Sequence, residues 1–156
     1  FSHFSMDILI KEKLVRIAMD EAEKAIQEGN SPFGAVLSDL DGNVIDTAHN
    51  TSNSDSDPTA HAEINLIRKV TRKTKSKDLS NYCLISNAQS CSMCFSAAIK
   101  SKIKNFIFGA DSESHMNPNL NVLEISKYSE NKLHIDTGIL KEECRNQIER
   151  ARKMTK

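Results

Sequence analysis

The stretch FIFGADSESHMNPNLNVLEISKYSENKLHI, residues 106–135, decides how the sheet is wound. It opens on the apolar run Phe106 to Phe108, closed by Gly109, and ends on Leu133-His134-Ile135. Short apolar runs bounded by glycine or polar residues read as strands. Between them lie twenty-odd mostly polar residues, with a weakly apolar segment around Leu120 to Ile125. A hairpin needs only about two to five connecting residues, whereas a parallel pair needs a crossover of about a dozen or more. The spacing therefore predicts a crossover with its own short helix, and a parallel pair for the last two strands.

Upstream, Tyr82 to Ile85 reads as a buried strand, and Ser90 as the cap of a helix from Cys91 to about Ser101. Asp57-Pro58 reads as another helix start, with Asp57 as cap and Pro58 in the first turn. That helix fades into Arg68 to Lys77, which holds six Lys or Arg and no acid. Such a run is either a solvated helix end or a nucleic-acid patch. Phe33 to Ser38 and Val44-Ile45 flank the turn Asp41-Gly42-Asn43, the pattern of a hairpin. A first helix spans Asp7 to Gln27, with apolar residues at three- and four-residue steps and Gly29 as its stop. A last helix spans about Ile139 to Met154. After the hairpin, helices and strands alternate, which implies an α/β sheet covered by helices on both faces.

The chain has 156 residues, 38% of them hydrophobic and 27% charged. That excludes a disordered or collagen-like chain and predicts one domain over 6–156. Phe1 to Ser5 precede Met6 and read as an appended remnant outside the fold. No apolar run approaches the roughly 20 residues of a membrane span, and no signal-peptide pattern occurs, so the expected compartment is the cytoplasm. Basic and acidic residues balance at 21 each, which weakens a nucleic-acid reading without removing a local patch.

The chemistry concentrates in His61-Ala62-Glu63 and, thirty residues on, Cys91-Ser92-Met93-Cys94. Zinc takes imidazole and thiolate in tetrahedral geometry. The second sulfur of C-x-x-C follows almost one helical turn after the first, so both can face one point. Helix N-termini favour the thiolate form. His61, Cys91 and Cys94 make three ligands rather than four, which leaves a position for water. Zinc brings the pKa of such a water to about 7 and yields a hydroxide nucleophile. Glu63 can reach the same space and carry protons. Cys83 reads as a small core residue, and Cys144 as no ligand.

The motifs Pro32-Phe33-Gly34-Ala35-Val36, Asn50, Asp57-Pro58-Thr59-Ala60-His61-Ala62-Glu63 and Cys91-Ser92-Met93-Cys94 resemble the cytidine-deaminase-like superfamily of zinc deaminases. They are similar to guanine deaminases and nearly as similar to bacterial tRNA adenosine deaminases. The resemblance runs from about Asp7 to the end. It implies a three-layer α/β/α fold with a mixed five-stranded sheet, a zinc cofactor, Glu63 as proton shuttle, Asn50 as a contact to the base, and a homodimer. Phe33, Ala62 and His115 join Asn50 as expected substrate contacts. His49, next to Asn50, either touches the pocket or serves the loop. The family usually has Glu-Pro or Ser-Pro before the first zinc cysteine; here Gln89-Ser90 stands there.

The first expectation is a hydrolytic deaminase of a free nucleobase or nucleoside, of the guanine or cytosine kind. Residues Ala110 to Asn119 and the final helix are expected to roof its pocket. The second is a tRNA adenosine deaminase, which the ending Ile135 to Cys144 and the basic final helix resemble, although that helix has no aromatic residue for stacking bases. The third is a zinc-stabilised scaffold without catalysis, suggested by Gln89-Ser90.

Overall fold

A computed structural model of the chain describes residues 6–111 and 116–154. The elements follow in the order α1 (Ile8–Gln27), β1 (Gly34–Asp39), β2 (Val44–His49), α2 (Ala62–Thr74), β3 (Tyr82–Ala88), α3 (Ser92–Lys100), β4 (Asn105–Ala110), α4 (Val122–Ser126), β5 (His134–Asp136) and α5 (Lys141–Met154). The five strands form one sheet in the order β2-β1-β3-β4-β5. β1 runs antiparallel to both of its neighbours, whereas β3, β4 and β5 are parallel. The crossover between β4 and β5 carries the short helix α4, capped by the Asn121 side chain, which accepts from Leu123 N at 2.8 Å.

Helices cover both faces. Strand residues alternate between them with period two. Leu84, Phe106 and Phe108 pack with Leu66, Val70 and Phe95 on the side of α2 and α3. Cys83, Ile85 and Ile107 pack with Leu14, Val15, Ala18 and Ile148 on the side of α1 and α5. β3 and β4 are buried on both faces, which explains their almost unbroken apolar runs. α1 crosses β1 at Gly34, where a Cβ would collide with the backbone oxygen of Ala18 and come 2.6 Å from Ala22 N. Only glycine allows that approach.

Three boundary expectations are corrected. The second helix begins at Ala62 with His61 as its N-cap, not at Asp57. Asp57 instead closes a tight turn, its Oδ1 accepting from Thr59 N at 2.8 Å and Thr59 Oγ1 at 2.7 Å. Thr51 N donates to Ala60 O at 3.0 Å and closes this loop of turns, which leaves His61 in extended backbone just ahead of the helix. The third helix is capped by Cys91 rather than Ser90, because β3 runs on to Ala88 and delays the turn. Gly109 lies within β4 rather than closing it. There it makes room for Cys144 of α5, since a Cβ would sit 2.5 Å from that sulfur. Among the described residues, no helix is long and apolar enough to cross a membrane.

Candidate active site

The late starts of α2 and α3 build the site. Each helix is capped by a residue with no side-chain cap bond, His61 on α2 and Cys91 on α3, so the first-turn amides of both point toward it. His61 Nδ1 lies 3.5 Å from Cys91 Sγ and 3.4 Å from Cys94 Sγ, and the two sulfurs are 3.5 Å apart. A tetrahedral zinc with bonds of about 2.0–2.3 Å requires ligand separations of about 3.3–3.8 Å, so these atoms fit zinc as they stand. They are also the group of His, Cys and acidic residues that comes together for a metal among the described residues.

The electrostatics agree with a cation site. The hydrogen shared with Cys94 lowers the Cys91 pKa to about 4, with help from His61 and against burial. The same shared hydrogen, with burial, raises that of Cys94. The pair therefore keeps a thiolate facing the imidazole. Glu63 is buried, and loss of solvent raises its pKa, opposed by Ser90 and His61. Ser90 is near enough to favour the charged carboxylate, yet its Oγ makes no hydrogen bond of regular geometry. Burial also raises Cys83, and pushes Cys144 up to about 12, so both remain thiols.

A cleft of about 570 Å³ opens over this cluster, with Phe33, Asn50, His61, Glu63 and Cys91 in its lining. Asn50 is buried; its Oδ1 accepts from Ser52 N at 2.9 Å and Ser52 Oγ at 2.8 Å. The loop thus occupies the acceptor and leaves the amide NH2 to face a ligand. Asn50 N donates to Phe33 O at 3.0 Å, which ties the two cleft residues together. Ala62 is buried in the first turn of α2 and does not line the cleft. His49 turns away: Nδ1 is 3.4 Å from Glu21 on α1 and Nε2 is 3.0 Å from Glu28, the C-cap of that helix. Asp111, Met116 to Pro118 and Arg152 of α5 contribute to the wall. His115 lies outside the described residues.

One feature was missed from sequence. Asn87, wholly buried on β3, brackets Phe33: its Nδ2 donates to Pro32 O at 3.0 Å and its Oδ1 accepts from Gly34 N at 3.1 Å. The same Nδ2 donates to Gln147 Oε1 of α5 at 3.2 Å. The available signal was an asparagine inside an apolar strand, where a buried amide must find partners. Gln89, at the departure from the family motif, also lines the cleft, and its buried Oε1 has no partner.

Residues 9–110 match the family described as the cytidine and deoxycytidylate deaminase zinc-binding region. The chain belongs to this deaminase family. It is 36% identical over 138 residues to a tRNA-specific adenosine deaminase of Haemophilus influenzae, covering 88% of this chain and 80% of the relative. The fold superposes with a TM-score of 0.77 and 26% identity on a solved structure of tRNA:A34 deaminases that perform A-to-I editing at the wobble position of transfer RNA. That match covers 86% of this chain and 98% of the other. A guanine deaminase from Nitrosomonas europaea shares the fold at a TM-score of 0.78, with 20% identity over 91% of this chain and 84% of that one. Membership in the deaminase family carries zinc as cofactor and hydrolytic deamination as the reaction class.

Proposed function

We propose that this protein is a tRNA adenosine deaminase, which reverses the order of the first two expectations from sequence. The observation that carries this reading is the reach of the likeness. The zinc-binding region spans residues 9–110, whereas the likeness to the Haemophilus tRNA deaminase extends over 138 residues, so it continues past that region.

The side chains divide the work as follows. His61, Cys91 and Cys94 would hold zinc, which supplies, when bound, a water activated for attack at neutral pH. Asn50 donates its amide N–H to an acceptor nitrogen of the purine and fixes the ring beside Phe33. The Glu63 carboxylate takes the proton released by the attacking water and delivers it to N1 of the adenine. As the C6–N6 bond breaks, a second proton passes through the same carboxylate to the departing amine. The water oxygen stays on C6 and ammonia leaves, so adenosine and water give inosine and ammonia. The protein acts as a homodimer with residues 6–156 as one folding unit, checked by sedimentation and by coincidence of its unfolding transitions.

A free-base deaminase remains the second reading, because the cleft lining carries Asp57, Glu63 and Asp111 against Arg152 as its cation. The test is incubation of the zinc-loaded protein with a tRNA, its anticodon stem-loop, guanine, cytosine and adenosine. Inosine in the digested RNA is the expected result. Ammonia from a free base, with no inosine in either RNA, overturns the proposal in favour of the second reading.

A further inference from the structure

The charge balance of the chain hides a strong asymmetry. Between residues 64 and 110 lie nine Lys or Arg and one acid, Asp78. The topology gathers most of them at one end of the molecule. β3 and β4 are parallel, so the loops entering them share an edge, the same edge at which α2 and α3 finish. Leu79 N donates to Ser101 O at 2.8 Å and ties the two loops together. Arg72, Lys75, Lys77, Lys100, Lys102 and Lys104 meet there, all but the half-buried Lys104 exposed. Lys102 pairs with Asp78 at 3.9 Å; Lys69 and Lys73 pair with Asp46 farther along α2. Acids lie at this edge too: Asp39 and Asp41 in the hairpin turn beside Tyr82, where Asp39 is bonded to Asn43, Asp7 at the cap of α1 near Gly42, and Glu130 in the loop entering β5.

The helix dipole accounts for cations in the last turns of α2 and α3. It does not account for those in the loops beyond, nor for the backbone at two of them. Lys75 has φ 53° and Lys102 has φ 69°, the left-handed conformation that ends helices and that glycine fills without strain. Lys75 caps α2 and Lys102 follows the Ser101 cap of α3, each where glycine is easier, and both are exposed at the same pole.

We propose that this pole binds the phosphodiester backbone of duplex RNA, the stem that continues from the nucleotide held in the cleft. The inference rests on the tRNA reading and adds the surface that holds the rest of the substrate. α2 has 13 residues, so at 1.5 Å per residue the pole stands about 20 Å from His61. That separation matches a stem laid along α2 with one end at the catalytic cleft. Exposed lysines and arginines suit phosphates rather than unpaired bases, and the aromatic residue of this edge, Tyr82, is packed against the core.

The test uses the zinc-loaded full chain, a transcribed tRNA and its isolated anticodon stem-loop, with binding measured across a range of salt. The variant Lys75→Gly/Lys102→Gly removes two charges and relaxes both helix ends. It should melt at the same or a higher temperature, bind the tRNA severalfold more weakly, and flatten the salt dependence by about one per lost phosphate contact. The variant Arg72→Glu/Lys77→Glu/Lys104→Glu should weaken tRNA binding further and raise KM on the stem-loop. Unaltered tRNA affinity and salt slope in both folded variants overturn the proposal, even if inosine forms. Salt-steep RNA binding that both variants weaken, with no inosine in any RNA, supports the pole and removes the tRNA reading.

Discussion

At the scale of single residues, Glu63 is set apart by where it lies. It is buried at the start of α2, two residues from His61, and burial favours its protonated form. A carboxyl whose protonated form is favoured by burial is suited to carrying protons. Glu63→Gln keeps the shape and loses the proton, so zinc content and melting should stay while kcat falls by about 10²–10⁴-fold. An unchanged kcat assigns Glu63 a structural role alone. Cys91→Ala or Cys94→Ala should abolish stoichiometric zinc by elemental analysis, whereas Cys83→Ala should not, since Cys83 is locked in the β3 core. These residues were legible in the sequence because their chemistry is local: His61 and Glu63 are two apart, and Cys91 and Cys94 fall within one helical turn. Asn87 was not legible as part of the site. Its three partners lie 53 to 60 residues away, and no local pattern encodes such bonds.

At the scale of elements, the sequence delivered the order of helices and strands and the parallel direction of the last pair, but it misplaced three ends. Asp57-Pro58 satisfies the rules for a helix start and for a tight turn equally well, and the tertiary bond from Thr51 N to Ala60 O selects the turn. Gly109 obeys a packing demand from Cys144 that lies outside its own strand. The junction of α1 with the sheet is testable at both of its contacts. Gly34→Ala drives a methyl into the backbone of α1, which cannot yield as a side chain would, and should cost about 1–3 kcal/mol by urea denaturation. Near it, Glu21 is buried yet has a lowered pKa: burial opposes the charge, and bonds to Lys24 and His49 prevail. A depressed carboxylate contributes stability above its unfolded value of about 4.5, and that contribution is lost as the pH falls through the folded value. Glu21→Gln should lower stability at neutral pH and flatten its decline below about pH 4.5, read from urea midpoints across pH. A decline as steep as in the parent protein locates the acid sensitivity elsewhere.

At the scale of the whole molecule, the question is whether zinc makes the fold or only completes it. Small zinc domains unfold without metal because they have no other core. Here α2 is already fastened by Leu66 and Val70, and α3 by Phe95 and Ala98, all fully buried in the layer they share with the sheet. The opposite layer, with α1 and α5, is built from Leu14, Val15, Ala18 and Ile148 and counts none of the three zinc ligands among its core residues. The metal therefore joins two helix starts that the core has already set 3.4–3.5 Å apart at their ligand atoms. Removing it should leave a folded protein with a looser cleft. Its contribution is then linkage: zinc at 100 times its dissociation constant adds about 2.7 kcal/mol. For a chain of 156 residues, at about 2–4 °C per kcal/mol, that raises Tm by about 5–10 °C. Chelated protein should keep its far-ultraviolet circular dichroism and a single cooperative transition, at a Tm that climbs with the logarithm of added zinc. Loss of the cooperative transition on chelation would instead mean that the two helix starts hold the layers together through the metal.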